Sequence, residues 1–296
     1  MKKILVLSGL KKTTEKFSNL ESVTTETFKN LWYISENDTI SCFIGDEPLE
    51  SFDVVYFRVV GPYREHAAVI TMYCKQHGIR LIDAIYEQSE ATLVPIYKGI
   101  ETLLHVKHRI RIPKTAFCTP KTMRKVIDTH FSLPVVIKDT EGIKGRNIFS
   151  PKNNDELDEV MRAIEKQEKY FAKRFLIQEF ITASHRERLF VVGDEVIAGI
   201  MRPMRWRKRF IAEGDTRHSG IKKPLTDIAD HKKALAVNAA KAVGLDIAGI
   251  DLIEDDETKE CYIMEANAEP EWRSLSADTN TNVEENIIEY IQKNSG

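Results

Sequence analysis

Apolar residues in the first hundred positions come in short runs separated by longer mixed stretches. Lys3 to Ser8, with the apolar core Ile4 to Leu7, reads as the first buried strand. Thr39 to Ile44 and Asp53 to Val60 (DVVYFRVV) are of strand length and rich in β-branched and aromatic residues. The stretches near Thr14 to Tyr33 and Arg64 to His77 read as helices, and GIRLIDA as a further strand opened by a glycine. Such alternation predicts a parallel sheet with helices on its faces. Glu87 to His105 reads as a helix closing this first lobe.

Beyond it the pattern changes. RIPKTAFC is strand-like, and Thr119-Pro120 opens a helix running to about His130. Pro134 to Lys138 (PVVIK) is a short apolar run ending in lysine, followed by the polar, glycine-bearing Asp139 to Asn147. Asn154 or Asp155 caps a charged helix to about Tyr170; RFLIQEFI is the next strand, and LFVVGDEVIAGIMRPM reads as a hairpin turning at Gly193-Asp194. His231 to Val243 is an amphipathic helix stopped by Gly244. IAGIDLIED and ECYIMEANA read as antiparallel strands around a turn at Asp255 to Thr258, and a terminal helix ends the chain.

Bulk properties exclude several classes. With 296 residues, 42% hydrophobic and 30% charged, the chain is globular and long enough for more than one lobe. A net charge of −2 gives no overall bias toward nucleic acid or anionic membrane. No apolar run approaches the ~20 residues of a membrane span, and the N-terminus lacks the long apolar stretch of a signal peptide. Cys42, Cys74, Cys118 and Cys261 are far apart and fit reduced thiols in a cytoplasmic protein. The turn after the first strand, SGLKK, lacks the GxGxxG of a dinucleotide site.

Candidate chemistry gathers in the later strands. Asp251 interrupts an apolar strand, and Glu265 and Asn267 share one face of the next. Two carboxylates and an amide oxygen suit Mg2+, although a surface acidic patch has the same letters. Lys138, at the end of a buried strand, can offer its ammonium to phosphate, and the loop after it can bring backbone close to a polyphosphate. Neither is a P-loop. IQEFI can line an adenine slot, mainly through main chain. MRPMRWRKRF is either an anion pocket, a nucleic-acid patch with Trp206 for stacking, or a solvated edge. Arg58 interrupts an apolar strand and is either a carboxylate binder or a structural ion pair. Glu269 and Trp272 either face an acceptor or simply pack.

The order of these elements resembles the ATP-grasp superfamily, and within it the RimK-like ligases, over roughly Leu104 to Trp272. The resemblance implies an α/β and α+β fold: an N-terminal α/β lobe (1–104), a central subdomain (105–181) and a C-terminal subdomain (182–296) that clamp ATP. It implies an ATP-dependent carboxylate–amine ligase acting through an acyl phosphate, with an ATP-grasp kinase for a small-molecule acceptor as the alternative. Carried over by position, Lys138 and Arg207 are the catalytic cations. Lys107, Lys138, the loop residues Glu141, Gly142, Lys144 and Gly145, the linker Gln178, Glu179, Phe180 and Ile181, and Arg188 hold the nucleotide. Asp251, Glu265 and Asn267 hold two Mg2+ ions, with Mn2+ as a substitute. Where the family carries a ribose-binding acid this chain has Arg186; either Glu187 beside it replaces that acid by a register shift, or the ribose is held otherwise. Expected partners are ATP, a carboxylate and an amine on an amino acid, peptide or protein terminus, with neither nucleic acid nor membrane; a homo-oligomer stays open.

Overall fold

The computed structural model describes residues 2–36, 39–88, 97–140, 148–168, 175–204 and 223–294. The first unit carries β1 (Ile4–Ser8), β2 (Val23–Thr27), β3 (Leu31–Glu36), β4 (Thr39–Ile44), β5 (Glu47–Pro48), β6 (Val54–Val59) and β7 (Arg80–Ile82). Its main sheet is parallel, in the order β2-β1-β6-β7, and β3-β4-β5 form a small antiparallel sheet beside it. The helix α1 (Arg64–His77) ends on Gly78 in the left-handed region, followed by α2 (Ala84–Gln88) and α3 (Lys98–Lys107).

The helix expected over Thr14 to Tyr33 does not form. Short 3-10 turns and the strands β2 and β3 take its place, and β2 extends the parallel sheet in the register Ile4↔Val23. The run Val-Thr-Thr-Glu-Thr explains this, because branching at Cβ suits a pleated surface better than a helix. The expected helix from Glu87 to His105 is represented by the end of α2 and by α3, which runs across the boundary expected at residue 104.

The central unit is β8 (Thr115–Cys118), α4 (Pro120–His130), β9 (Val135–Asp139), β10 (Ile148–Phe149), α5 (Asn154–Glu168) and β11 (Phe175–Glu179), with sheet order β10-β9-β11-β8. Val135, Ile137, Phe175 and Ile177 face α4 and α5 and make a core of their own. The alternate positions Val136, Lys138, Leu176 and Gln178 therefore lie on the opposite face.

The last sheet is β12 (His185–Val192), β13 (Glu195–Pro203), β14 (Lys223–Pro224), β15 (Ile247–Glu254) and β16 (Cys261–Asn267), ordered β14-β13-β12-β15-β16. On one face Leu189, Val191, Ile250 and Leu252 pack on Ala236, Ala239 and Ala240 of α6 (Asp230–Ala242). The alanines let helix and sheet approach closely. On the other face Phe190 and Ile247 meet Ile4, Val6 and Tyr56 of the first unit, together with Trp272 and the helix α8 (Val283–Asn294). The helix α7 (Arg273–Thr279) connects them. Among the described residues no helix is long and apolar enough to cross a membrane.

Among the described contacts that join the first unit to this sheet are two sets of hydrogen bonds. Asp83 Oδ1 accepts from the backbone of Asp246 and Ile247 at 2.8 and 2.7 Å, and Asp246 Oδ2 accepts from Ala84 N at 2.7 Å. Nearer the strand ends, Glu269 Oε1 accepts from Val60 N and Gly61 N at 2.6 and 3.1 Å. Arg58 Nη2 donates to Pro270 O at 2.8 Å, its guanidinium lying 3.5 Å over the Trp272 ring. Arg58 and Trp272 thus brace the segment leaving β16.

The β12–β13 turn supplies a stability test. Gly193 has φ +60°, and a Cβ there would overlap the Tyr290 ring. Gly193→Ala is expected to cost about 2–4 kcal/mol, combining left-handed strain with overpacking. Urea unfolding reads this directly, and a loss below about 0.5 kcal/mol would show that the ring yields freely.

Candidate active site

Pairing of the last sheet sets its charged residues in a row. Arg188 on β12 stands opposite Asp251 on β15, which stands opposite Glu265 on β16. Asn267, two residues on, shares the Glu265 face. Just past this row the register shifts: Asp251 pairs with Glu265 but Leu252 with Ile263, so Met264 is extra. This bulge bends the edge strand at the site.

Arg188 grips Asp251 with two parallel bonds, Nε to Oδ1 at 2.6 Å and Nη2 to Oδ2 at 2.8 Å. Burial disfavours the Asp251 carboxylate, but Arg188, aided by Arg186 and Arg202, outweighs it and holds its pKa below the usual value. Arg202, opposite Arg186 in register, has its own pKa lowered by burial and by these arginines. Its Nε is buried with no partner among the described residues. This corner of the sheet is therefore cationic and has donors to spare.

The central unit brings Lys138 to the same place. Burial pushes its ammonium down to about 8; Glu265 pulls it back up, Lys98 adds to the fall, and Glu101 and Asp251 oppose it. These influences fall off steeply with distance, so the lysine of one sheet lies in the electrostatic neighbourhood of the acids of the other.

The helix α3 completes the cluster. Lys98 Nζ lies 3.5 Å from Glu265 Oε1, and Glu101 Oε1 accepts from Ala266 N at 2.5 Å. Burial, then the nearby Glu265, pushes the Glu101 carboxyl up to about 8. The lysine near the cluster is thus Lys98. Lys107 is exposed in the last turn of α3, nine residues on, which is about 13 Å along the axis. No feature of the sequence singled out Lys98 or Glu101; only the docking of α3 against β16 does.

Glu187 also departs from expectation. It lies on the α6 face of the sheet, 5% exposed, with Lys232 Nζ at 2.7 Å and His185 Nε2 at 3.7 Å. Period-two alternation turns it away from Arg188 and Asp251, so the structure does not bring it to the cluster.

Gln178 lies on the Lys138 face, buried, donating from Nε2 to Thr115 Oγ1 at 3.0 Å. Its Oε1 has no partner among the described residues. Glu179 is occupied by Lys114, through its N–H at 3.0 Å and its carboxylate at 2.6 Å. Phe180 is half-buried, and Ile181 packs with Ala183 and Ile253. Glu141, Gly142, Lys144, Gly145 and Arg207 lie outside the described residues.

The donor set fits a hard divalent cation. Asp251, Glu265 and Asn267 offer oxygens from one face, and the Lys98 ammonium already rests against the Glu265 carboxylate. Asn267 Oδ1 accepts from Glu269 N at 2.9 Å, which fixes its amide and leaves the oxygen a second lone pair. Both Asp251 oxygens keep spare lone pairs beside their bonds to Arg188.

Three comparisons bear on this arrangement. The family model described as the RimK-like ATP-grasp domain matches residues 97–291. A protein named probable alpha-L-glutamate ligase from Legionella pneumophila (strain Corby) is 27% identical over 255 residues, covering 84% of this chain and 79% of that protein. One of the same name from Trichodesmium erythraeum (strain IMS101) is 32% identical over 199 residues, covering 65% and 62%. Among solved structures, the ATP-grasp ligase PsnB with a minimal precursor superposes with TM-score 0.72 at 15% identity over all of both chains. A Chryseobacterium gregarium RiPP-associated ATP-grasp ligase with ADP and a leader and core peptide gives TM-score 0.66 at 18% identity, covering 99% and 97%.

Proposed function

Since the chain belongs to the RimK-like ATP-grasp family, we propose that its charged cleft binds Mg-ATP and joins a carboxylate to the amino group of an acidic amino acid. The protein is an ATP-dependent carboxylate–amine ligase. The observation that supports this reading most is that Glu265 and Asp251, on one sheet, act by their charge on the Lys138 ammonium of another.

Lys138 and Lys98 offer ammonium groups to phosphate oxygens, and Arg188 and Arg202 offer guanidinium donors beside them. Asp251, Glu265 and Asn267 would hold two Mg2+, or Mn2+ in their place, and the ions would supply charge neutralisation to the phosphates. A carboxylate oxygen attacks the γ-phosphorus, and ADP leaves with the electrons of the broken P–O bond. The amine nitrogen then attacks the acyl carbon, the new C–N bond forms, phosphate leaves with the C–O bond electrons, and the proton lost by the amine passes to the departing phosphate. Arg207 and Glu141 to Gly145 lie outside the described residues and keep only the phosphate-contacting roles that the family resemblance implies. The Val136 and Gln178 face of the central sheet is read as the base-side wall.

Two lines support an acidic amine. The relatives are named glutamate ligases. Arg186, Arg188 and Arg202 share one sheet corner, where the ion pair among the described acids is that of Asp251 with Arg188. A kinase reading has no comparable support.

The test is ADP release measured over pairs of amino acids and short peptides, followed by product mass. ADP is expected only when carboxylate and amine are both present, with glutamate or aspartate the best amines and a product lighter by one water than the sum of the pair. ADP release accompanied by a stable phosphate ester would replace the ligase reading with a kinase.

A further inference from the structure

We propose that Glu101 is a positioning residue for the metal-binding strand, setting the height of Glu265 and Asn267 through the peptide N–H between them. The inference rests on the cleft being the Mg-ATP site.

The argument begins at the edge of the last sheet. Among the described residues β16 is an edge strand of that sheet, so its outward N–H groups meet no neighbouring strand there. Ile263 N donates to Arg111 O at 2.9 Å, and Ala266 N to Glu101 Oε1 at 2.5 Å. These outward groups are three residues apart where a regular strand gives two. The extra residue Met264 accounts for the difference. Glu101 therefore receives the one N–H that the bulge presents between the two metal-ligand candidates.

A side chain chosen for packing alone would not be this one. Glu101 is 6% exposed, and its neighbour Glu265 carries the same charge. An apolar residue would pack here without that repulsion, but would leave the Ala266 N–H buried and unmet. Lys98, one turn earlier on the same helix, and Lys138 offset the repulsion. One turn of α3 thus places a cation against the Glu265 carboxylate and a carboxylate against the next peptide. The first helix of the matched region is built into the metal site from behind.

The experiment uses the full chain and two ligands, ADP and Mg2+. Glu101→Gln keeps an oxygen acceptor at the same reach, Glu101→Leu removes it, and Glu101→Asn withdraws it by one methylene. Calorimetric titration of ADP across a Mg2+ series, with thermal unfolding of each ligand-free variant, reads binding apart from turnover. In the leucine and asparagine variants the Mg2+ concentration for half-maximal enhancement of ADP binding is expected to rise about tenfold, with Mg2+-free ADP binding changed less than about twofold. The glutamine variant is expected within about threefold of the parent. If leucine fails to fold, the asparagine and glutamine pair decides the matter alone. An unchanged Mg2+ dependence in the asparagine variant, or a glutamine variant as impaired as asparagine, overturns the proposal while leaving the site assignment intact. A parent protein whose ADP binding ignores Mg2+ overturns both.

Discussion

Glu265→Gln is expected to lower ADP release with saturating substrates by about a thousandfold, on the order of 4 kcal/mol in barrier. Of the ligand candidates, Glu265 alone combines a central place in the donor row with an open side chain, 40% exposed. Asp251 is already held by Arg188, and the Asn267 oxygen already accepts a backbone N–H. The glutamine keeps shape and one oxygen but removes the charge that balances Lys98 and Lys138 and would neutralise the metal. Folding should be spared, because the side chain lies in an open cleft and its removal also relieves repulsion on Glu101. Melting temperatures within about 3 °C of each other would separate this loss from unfolding. Activity retained within tenfold at saturating Mg2+ would remove Glu265 from the catalytic centre.

The donor row could be read in the sequence because it breaks a pattern. Asp251 stands in an apolar strand, and Glu265 and Asn267 obey the two-residue period, so their common face follows from pleating alone. Lys138 is visible for the same reason, as the charged end of PVVIK. The failures have equally local causes. Lys98 and Lys107 sit at opposite ends of one helix, and helical periodicity does not say which end docks against a sheet laid down far later in the chain. A role for Glu187 at the ribose requires a one-residue slip. The pairing of Arg188 with Asp251 forbids that slip, since it would turn the whole strand over. The missed strand at Val23 to Thr27 carried its β-branched signal, but lay inside a stretch long enough to read as a helix. Glu101 was hidden because its partner is a backbone N–H exposed by a bulge, and a bulge has no letters of its own.

Lys138→Met is expected to move stability and binding in opposite directions: ADP affinity in the presence of Mg2+ falls about a hundredfold, while the ligand-free protein gains about 1–2 kcal/mol, or roughly 2–5 °C. Burial lowers this lysine from 10.5 to about 8, so without phosphate its ammonium sits in an environment that disfavours it. Fully converted, that shift is roughly 3 kcal/mol at neutral pH, and solvent in the open cleft reduces it. Methionine keeps the aliphatic stem packed against the strand and removes the charge. The sign follows from proton counting. Between about pH 8 and 10.5 the unfolded chain holds more protons at this position than the folded one. Stability therefore rises with pH across that window, and the methionine variant lacks the rise. Glu101, raised from 4.5 to about 8, slopes the other way but below that window, where the folded state holds the extra proton. Phosphate favours the ammonium, so ADP binding by the parent should weaken above pH 8, approaching tenfold per pH unit, with a proton taken up on binding. Unfolding curves and calorimetry at pH 7, 8.5 and 9.5 measure both effects. A variant that is less stable than the parent, or that still binds ADP with the parent's affinity, would mean that Lys138 serves the strand and not the phosphates.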